Sequence, residues 1–127
     1  MIVIDTSALV AIALNEEKSS TCIQVIEAEP DVLLSAGTLA EMLVVSARRG
    51  FADALNELLN SFDFVVEPVT VVSARRVGEA YSKWGKGMHK ANLNFGDCFA
   101  YALAKEHSCP LLFVGDDFSK TDIERAL

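Results

Sequence analysis

Met1-Ile2-Val3-Ile4-Asp5 is a short apolar run that ends on an acid. Its three consecutive β-branched residues favour a buried strand, and Thr6 or Ser7 then supplies an N-cap for a helix. Strand and helix patterns alternate along the rest of the chain. Further strands are predicted at 32–35, 62–66 and 111–114, and further helices at 16–29, 37–49, 51–59, from 70 onward and 95–107. This alternation predicts an α/β three-layer sandwich with a mainly parallel sheet of roughly four to five strands flanked by helices.

The composition is that of an ordinary globular protein. The chain has 127 residues, of which 51% are hydrophobic and 23% charged, so we expect a single domain over residues 1–127. No apolar run reaches the roughly 18 residues that cross a membrane, and no basic leader precedes an apolar segment. Three separated cysteines predict neither a disulfide framework nor a zinc site. These features predict a soluble, cytoplasmic protein with no membrane partner.

The formal net charge of -7 argues at first against a nucleic-acid partner. One stretch, however, has five cations against the single acid Glu79, a local balance of +4. This basic segment spans residues 75–90, and its cations are Arg75, Arg76, Lys83, Lys86 and Lys90. Tyr81 and Trp84 lie among them, either to stack on nucleotide bases or to pack onto the core. The basic segment is therefore the predicted margin for the phosphates of a nucleic acid.

Acidic residues occur where a parallel sheet of this kind places its ligands. Asp5 and the pair Asp116-Asp117 follow strands, whereas Glu41 and Asp97 have apolar neighbours within predicted helices. A buried, unpaired carboxylate costs several kcal/mol, and no Lys or Arg lies within a helical turn of Glu41 or Asp97. Oxygen ligands of this kind suit a hard divalent cation such as Mg²⁺ or Mn²⁺.

Each acid also has a purely structural explanation. Asp5 and Asp97 are candidate helix N-caps, Glu41 is a candidate first-turn acid that interacts with the helix dipole, and Asp116-Asp117 forms a candidate exposed turn. The joint occurrence of all these acids at strand ends and helix starts favours a functional site.

Four stretches resemble, in order and over the whole chain, the motifs of PIN-domain nucleases, in particular the VapC toxins of toxin–antitoxin pairs. They are Met1–Leu9, Thr38–Glu41, Phe95–Ala104 and Leu111–Phe118 followed by Thr121-Asp122-Ile123. The resemblance implies a Mg²⁺- or Mn²⁺-dependent endoribonuclease in which metal-bound water attacks the RNA phosphodiester. It also implies inhibition by a cognate antitoxin protein and assembly as a homodimer.

The same resemblance implies roles for particular residues. Asp5 and Asp97 would be the metal ligands, and Glu41 would complete the catalytic acids. The fourth catalytic acid is Asp116 or Asp117, with Asp116 slightly preferred because it lies closer to the strand end. Thr6 and Ser7 would support the metal site. His89 and His107 are not expected to act as bases.

Two questions stay open in the sequence. Apolar residues of the first helices either form the homodimer interface or belong to the core; they are Leu9, Ile12, Ile23, Ile26, Leu55 and Leu58. The chain is also interpretable as a non-catalytic PIN-type module that binds RNA or protein, although the intact acids argue against it. A phosphoacceptor domain is disfavoured, because its acidic pair would follow the first strand and not a late one.

Overall fold

The computed structural model describes residues 1–127 and contains four strands and six helices. The strands are β1 (Ile2–Ile4), β2 (Val32–Ser35), β3 (Phe64–Glu67) and β4 (Leu111–Leu112). The helices are α1 (Thr6–Ala13), α2 (Ser19–Ala28), α3 (Ala36–Arg49), α4 (Ala52–Ser61), α5 (Val71–Trp84) and α6 (Phe95–Glu106). Every predicted element is present. The main differences are a later start of β3 and a shorter β4.

The four strands form one parallel sheet in the order β3-β2-β1-β4. β1 is central, and its Val3 aligns with Leu33 of β2 and Leu111 of β4. Because the strands are parallel, the residues that follow β1, β2 and β4 all emerge at the carboxyl edge of the sheet. The α/β sandwich prediction is confirmed.

The sheet separates two hydrophobic cores, as the alternation of side chains along a strand requires. Val3 packs into the core on the face covered by α5 and α6. Ile2 and Ile4 pack into the core on the opposite face, with buried residues of α1 to α4. Both faces of β1 are covered, which explains its uninterrupted apolar sequence.

The apolar residues considered for a homodimer interface lie mostly in the second core. Leu9, Ile26, Leu55 and Leu58 are between 0% and 5% exposed. Ile12 is partly buried against the same core. Folding therefore assigns Leu9, Ile26, Leu55 and Leu58 to the core, whereas Ile12 and Ile23 stay partly exposed and their role in a dimer stays a prediction.

The end of α5 and the segment that follows it are held against α6. Trp84 and Tyr81 pack against the core under α5 and α6, which confirms the structural alternative for these two aromatic residues. The Leu93 side chain is fully buried, and its backbone N–H donates to the Trp84 carbonyl at 3.0 Å. The irregular segment between the two helices is thus anchored at both ends.

None of the helices combines the length and the apolar character needed to cross a membrane. The three cysteines are buried and free, as their spacing predicted.

Candidate active site

Asp5 follows β1 directly and is 2% exposed. Its Oδ2 accepts hydrogen bonds from the Ser7 backbone N–H at 3.0 Å and from the Ser7 hydroxyl at 2.7 Å, so Asp5 is the N-cap of α1. Its other oxygen, Oδ1, is buried without any hydrogen-bond partner. Helix capping therefore accounts for only one of the two carboxylate oxygens. The second is a buried hydrogen-bond acceptor without a donor.

Ser7 joins the ends of two strands. While its hydroxyl donates to Asp5, the same oxygen accepts from the Val114 backbone N–H at 3.0 Å. The chain that leaves β4 is thereby tied to the start of α1. The Thr6 hydroxyl faces Glu41 and favours the ionised form of that carboxylate. Both residues lie where the sequence placed a supporting role.

Asp97 is held by a reciprocal capping box at the start of α6. Its backbone N–H donates to Asn94 Oδ1 at 2.8 Å, and its Oδ2 accepts from the Asn94 N–H at 3.0 Å. The N-cap is therefore Asn94. The interpretation of Asp97 as the N-cap is wrong, because Asp97 is the third residue of the helix. The spacing Asn94-x-x-Asp97 was a signal in the sequence that would have located this helix start. Asp97 is 6% exposed.

Glu41 comes from α3 and crosses to α6. It is the sixth residue of α3 and therefore lies beyond the first turn. The helix dipole acts on charges within the first turn, so it does not explain the position of Glu41. Its carboxylate lies directly against Gly96, in the space that a Cβ at that position would need. Gly96 is thus the residue that lets the Glu41 carboxylate lie against the start of α6, one residue before Asp97, a role that the sequence alone did not reveal.

Burial raises the pKa of all three carboxyl groups. Desolvation is the largest cause in each case, and for Asp97 it raises the pKa from 3.8 to about 7, with further contributions from the charges of Asp5, Asp117 and Glu41. The pKa values of Asp5 and Glu41 are raised for the same reasons. None of the three salt bridges in the protein involves these acids. The carboxylates are gathered with no cation to neutralise them.

Asp117 is the favoured fourth acid of this group, because its charge contributes to the raised pKa of both Asp5 and Asp97. The Asp116 carbonyl accepts hydrogen bonds from the Ser119 N–H and hydroxyl, which close a turn. These observations favour Asp117 over Asp116, and the assignment of the fourth acid stays a prediction. We call Asp5, Glu41, Asp97 and Asp117 the acid cluster.

The acid cluster is suited to a hard cation, although its side chains do not converge as a finished ligand shell. No three acidic, histidine or cysteine side chains lie close enough together to hold an ion directly. The free Oδ1 of Asp5 nevertheless needs a partner, and carboxylate oxygens are the ligands that Mg²⁺ and Mn²⁺ prefer. Since Mg²⁺ usually retains several waters, it requires only one or two direct carboxylates.

The basic segment divides into paired and unpaired cations. Arg76 forms a salt bridge of 2.7 Å with Glu106, and Lys83 lies over the Trp84 ring, 5.1 Å from its centroid. The other three cations are exposed and form no salt bridge: Arg75, Lys86 and Lys90.

The two histidines have local structural roles. The Nδ1 of His89 accepts from the Ala91 N–H at 2.9 Å, and His107 is the C-cap of α6. Neither contributes to the pKa shifts that define the acid cluster.

The fold is that of an α/β domain with acidic residues at the carboxyl edge of a parallel sheet, and comparison with known proteins identifies its family. The PIN domain family model matches residues 2–124, and the chain belongs to the PIN domain family. Its sequence is 42% identical to Ribonuclease VapC28 of Mycobacterium tuberculosis, over 98% of this chain and 97% of that protein. Ribonuclease VapC42 of the same organism is 38% identical, over 98% of each. Within the PIN domain family, the chain is a VapC-type member.

Solved structures share the fold at lower sequence identity. The M. tuberculosis toxin VapC20, described as cleaving the sarcin-ricin loop, superimposes with a TM-score of 0.76 at 22% identity, over 97% of this chain and 96% of that one. FitAcB from Neisseria gonorrhoeae gives a TM-score of 0.70 at 22% identity, over 98% and 96%. A toxin–antitoxin complex from Klebsiella pneumoniae gives 0.69 at 18% identity, over 96% and 93%.

The raised pKa of Asp97 makes a prediction about stability. The folded protein binds this proton more tightly than the unfolded chain, so wild type loses stability as pH rises from about 4 through 7. Asp97→Asn keeps an amide oxygen for the capping bond and removes the charge. In EDTA, the variant should gain stability over wild type at pH 8.5, on the order of a few kcal/mol. The gain should largely disappear at pH 5.

Urea unfolding at the two pH values measures this difference. The exposed residue Asp63 provides the control, since Asp63→Asn should show no such pH-dependent gain. An Asp97→Asn variant that is less stable than wild type at pH 8.5 would contradict the burial of an uncompensated charge.

Proposed function

We propose that this protein is a metal-dependent endoribonuclease that acts as the toxin of a toxin–antitoxin pair. The observation that carries the proposal is the acid cluster: four carboxylates gathered without a cation, one of them with a buried oxygen that has no partner. The names of the VapC ribonucleases that share about 40% of their residues with this chain support the same reaction.

In this proposal, Asp5 and Asp97 hold Mg²⁺ or Mn²⁺. The bound cation would neutralise the clustered charge, polarise the phosphoryl group and make an attacking water more acidic. Ser7 and Asn94 hold the two carboxylates in place through the hydrogen bonds described above. Glu41, whose pKa is raised, is placed to accept a proton from the attacking water. Asp117, which follows β4, would add a further carboxylate.

The RNA would approach from the basic segment. We propose that all five of its cations contribute to phosphate binding, with the largest part coming from the three that form no salt bridge: Arg75, Lys86 and Lys90. Arg76 and Lys83 already interact with groups of the protein itself, so their contribution should be smaller.

A cognate antitoxin protein is the proposed partner. Solved structures with this fold include a toxin–antitoxin complex and VapBC2 from Rickettsia felis bound to promoter DNA. An acid cluster without its own cation would attract a basic side chain of the antitoxin, which would compete with the metal.

A homodimer also remains a proposal, now with a different surface. Val44 of α3 and Phe95 at the start of α6 are 59% and 69% exposed and line one groove beside Glu41. Light scattering would determine the oligomeric state.

Neutralising either proposed metal ligand should abolish RNA cleavage. Asp5→Asn and Asp97→Asn each remove one charged ligand, so both should lose Mn²⁺ binding in calorimetry and lose cleavage of a single-stranded RNA pool in Mg²⁺. The two variants should remain folded, since the amide oxygens preserve the helix caps. Asp116→Asn is the matched control and should cleave at close to the wild-type rate. Cleavage by both ligand variants at the wild-type rate would refute the metal site, and absence of Mn²⁺ binding by wild type would favour the non-catalytic alternative.

Gly96→Ala tests the position of Glu41 without changing any acid. The new methyl group would occupy the space of the Glu41 carboxylate and force that flexible side chain to move. Helix α6 tolerates Ala better than Gly, so thermal stability should be unchanged or slightly higher. The cleavage rate should fall by about tenfold or more, since a positioned general base contributes roughly 10²- to 10⁴-fold. Gly78→Ala, where a Cβ meets no atom, is the control. An unaffected cleavage rate in Gly96→Ala would show that Glu41 need not lie here.

Removal of unpaired cations should weaken RNA binding more than removal of distant ones. The double variant Lys86→Ala/Lys90→Ala should raise KM for RNA several-fold with little change in kcat, and binding should become less dependent on salt concentration. The variant Lys18→Ala/Arg48→Ala removes the same amount of charge outside both the basic segment and the segment that carries Asp117, and it serves as the control. Equal effects of the two double variants would mean that only total charge matters.

A further inference from the structure

Asp122 belongs to a segment that resembles a nuclease motif but is not part of the acid cluster. Its Oδ1 accepts a hydrogen bond of 2.6 Å from the Tyr101 hydroxyl, and its Oδ2 accepts from Lys105 Nζ at 3.2 Å. The short distance to Tyr101 is that of a charge-assisted hydrogen bond. Asp122 lies five residues after Asp117, in the same irregular part of the chain.

Tyr101 connects this segment to two helices. It is 6% exposed and lies one turn after Asp97 on the same face of α6. Its hydroxyl donates to Asp122 and also accepts from Trp84 Nε1, at the end of α5, at 2.8 Å. A single buried hydroxyl therefore joins three parts of the chain. They are α6, which carries Asp97, the end of α5, which carries the first part of the basic segment, and the segment that carries Asp117.

The chain is anchored on both sides of residues 115–123, by the Val114 N–H on Ser7 Oγ before them and by the Leu111 N–H on the Glu124 carbonyl after them. Residues 115–123 form neither a helix nor a strand, and their remaining hydrogen bonds are local, within the segment itself. Phe118 is buried and packs against Phe113, with ring centroids 5.0 Å apart. Ile123 packs at the edge of the same core. Among the hydrogen bonds of this segment, only those on Asp122 reach another part of the chain.

The segment that carries Asp117 starts beside Asp5. Asp117 is exposed and follows β4, the strand that pairs with β1, and Asp5 lies at the end of β1. The Val114 N–H donates to Ser7 Oγ, which also donates to Asp5, so the chain enters the segment next to that carboxylate. The backbone path beyond Val114 therefore decides where the Asp117 carboxylate lies. The bond between Tyr101 and Asp122 restrains the far side of the segment, and Phe118 restrains the near side.

We infer that Tyr101 and Asp122 form a latch that positions Asp117 beside Asp5 and Asp97. In this arrangement, Tyr101 and Asp122 touch neither the metal nor the RNA. They are positioning residues, and they act through Asp117. The inference rests on the proposed metal-dependent function, and it assigns the Thr121-Asp122-Ile123 stretch a role in that function.

The latch is tested by removing single atoms or charges and measuring Mn²⁺ binding by calorimetry, with no RNA present. Tyr101→Phe preserves the buried ring and deletes only the hydroxyl, whereas Asp122→Ala removes the acceptor at an exposed position. Each variant should weaken Mn²⁺ binding by about tenfold, as expected for residues that orient metal ligands. Asp122→Asn keeps an oxygen for Tyr101 and should restore part of the affinity. Lys105→Met breaks only the exposed salt bridge and should have little effect.

A double-mutant cycle separates the latch from a general effect on stability. In an Asp117→Asn background, Tyr101→Phe should cause no further loss of Mn²⁺ affinity, because the residue that it positions has already been altered. In steady-state cleavage, Tyr101→Phe should lower kcat and leave KM for RNA unchanged. A purely structural role of Tyr101 would lower the melting temperature without this non-additivity.

The outcomes distinguish the latch from the proposed function. Wild-type Mn²⁺ affinity in both Tyr101→Phe and Asp122→Ala, or additive losses in the cycle, would overturn the latch and leave the ribonuclease proposal intact. If the wild-type protein binds Mn²⁺ but cleaves no RNA, the proposed reaction is overturned. The Mn²⁺ affinities of the variants would still decide whether the latch exists. Absence of Mn²⁺ binding by wild type would overturn both.

Discussion

The structure depends on one constraint: several carboxylates have to be kept together at the edge of a hydrophobic sheet. Asp5 lies at the end of the central strand, where both faces of the sheet are covered and water is largely excluded. Desolvation and mutual repulsion both oppose ionisation there. Hydrogen bonds offset part of this cost. Ser7, in the first turn of α1, donates to Asp5 Oδ2, and Asn94, the N-cap of α6, donates to Asp97 Oδ2. The unsatisfied oxygen of Asp5 is what remains uncompensated.

Structural roles and the proposed functional roles coincide in these residues. Asp5 caps α1, and Asp97 completes a capping box with Asn94, so each acid also stabilises a helix start. Such bonds hold the carboxylates in a defined orientation before any ligand binds, which reduces the reorganisation that binding requires. In the sequence, a helix cap and a site residue looked like alternatives. Asp5 can be both, because it caps α1 with one oxygen and leaves the other free.

The distribution of charge has a similar double character. Part of the net acidity belongs to the acid cluster itself, whereas the cations of the basic segment lie on α5 and the residues that follow it. Internal partners reduce the free charge of that segment, because Arg76 is paired with Glu106 and Lys83 lies over Trp84. Total charge is therefore a poor guide to the proposed binding of nucleic acid. The placement of a few unpaired cations relative to the acids is the informative quantity.

The sequence by itself determined the fold class, the order of the elements and three of the four clustered acids. Strand runs, helix caps and the four motifs are local patterns, and local patterns can be recognised without knowing what packs against them. Only the tertiary structure favoured Asp117 over Asp116, and only it decided that Gly96 makes room for Glu41 and that Leu9 and Leu55 belong to the core. Each of these results depends on a contact between elements far apart in the chain. Neighbouring residues such as Asp116 and Asp117 have the same chemistry, and only the path of the backbone after β4 distinguishes them.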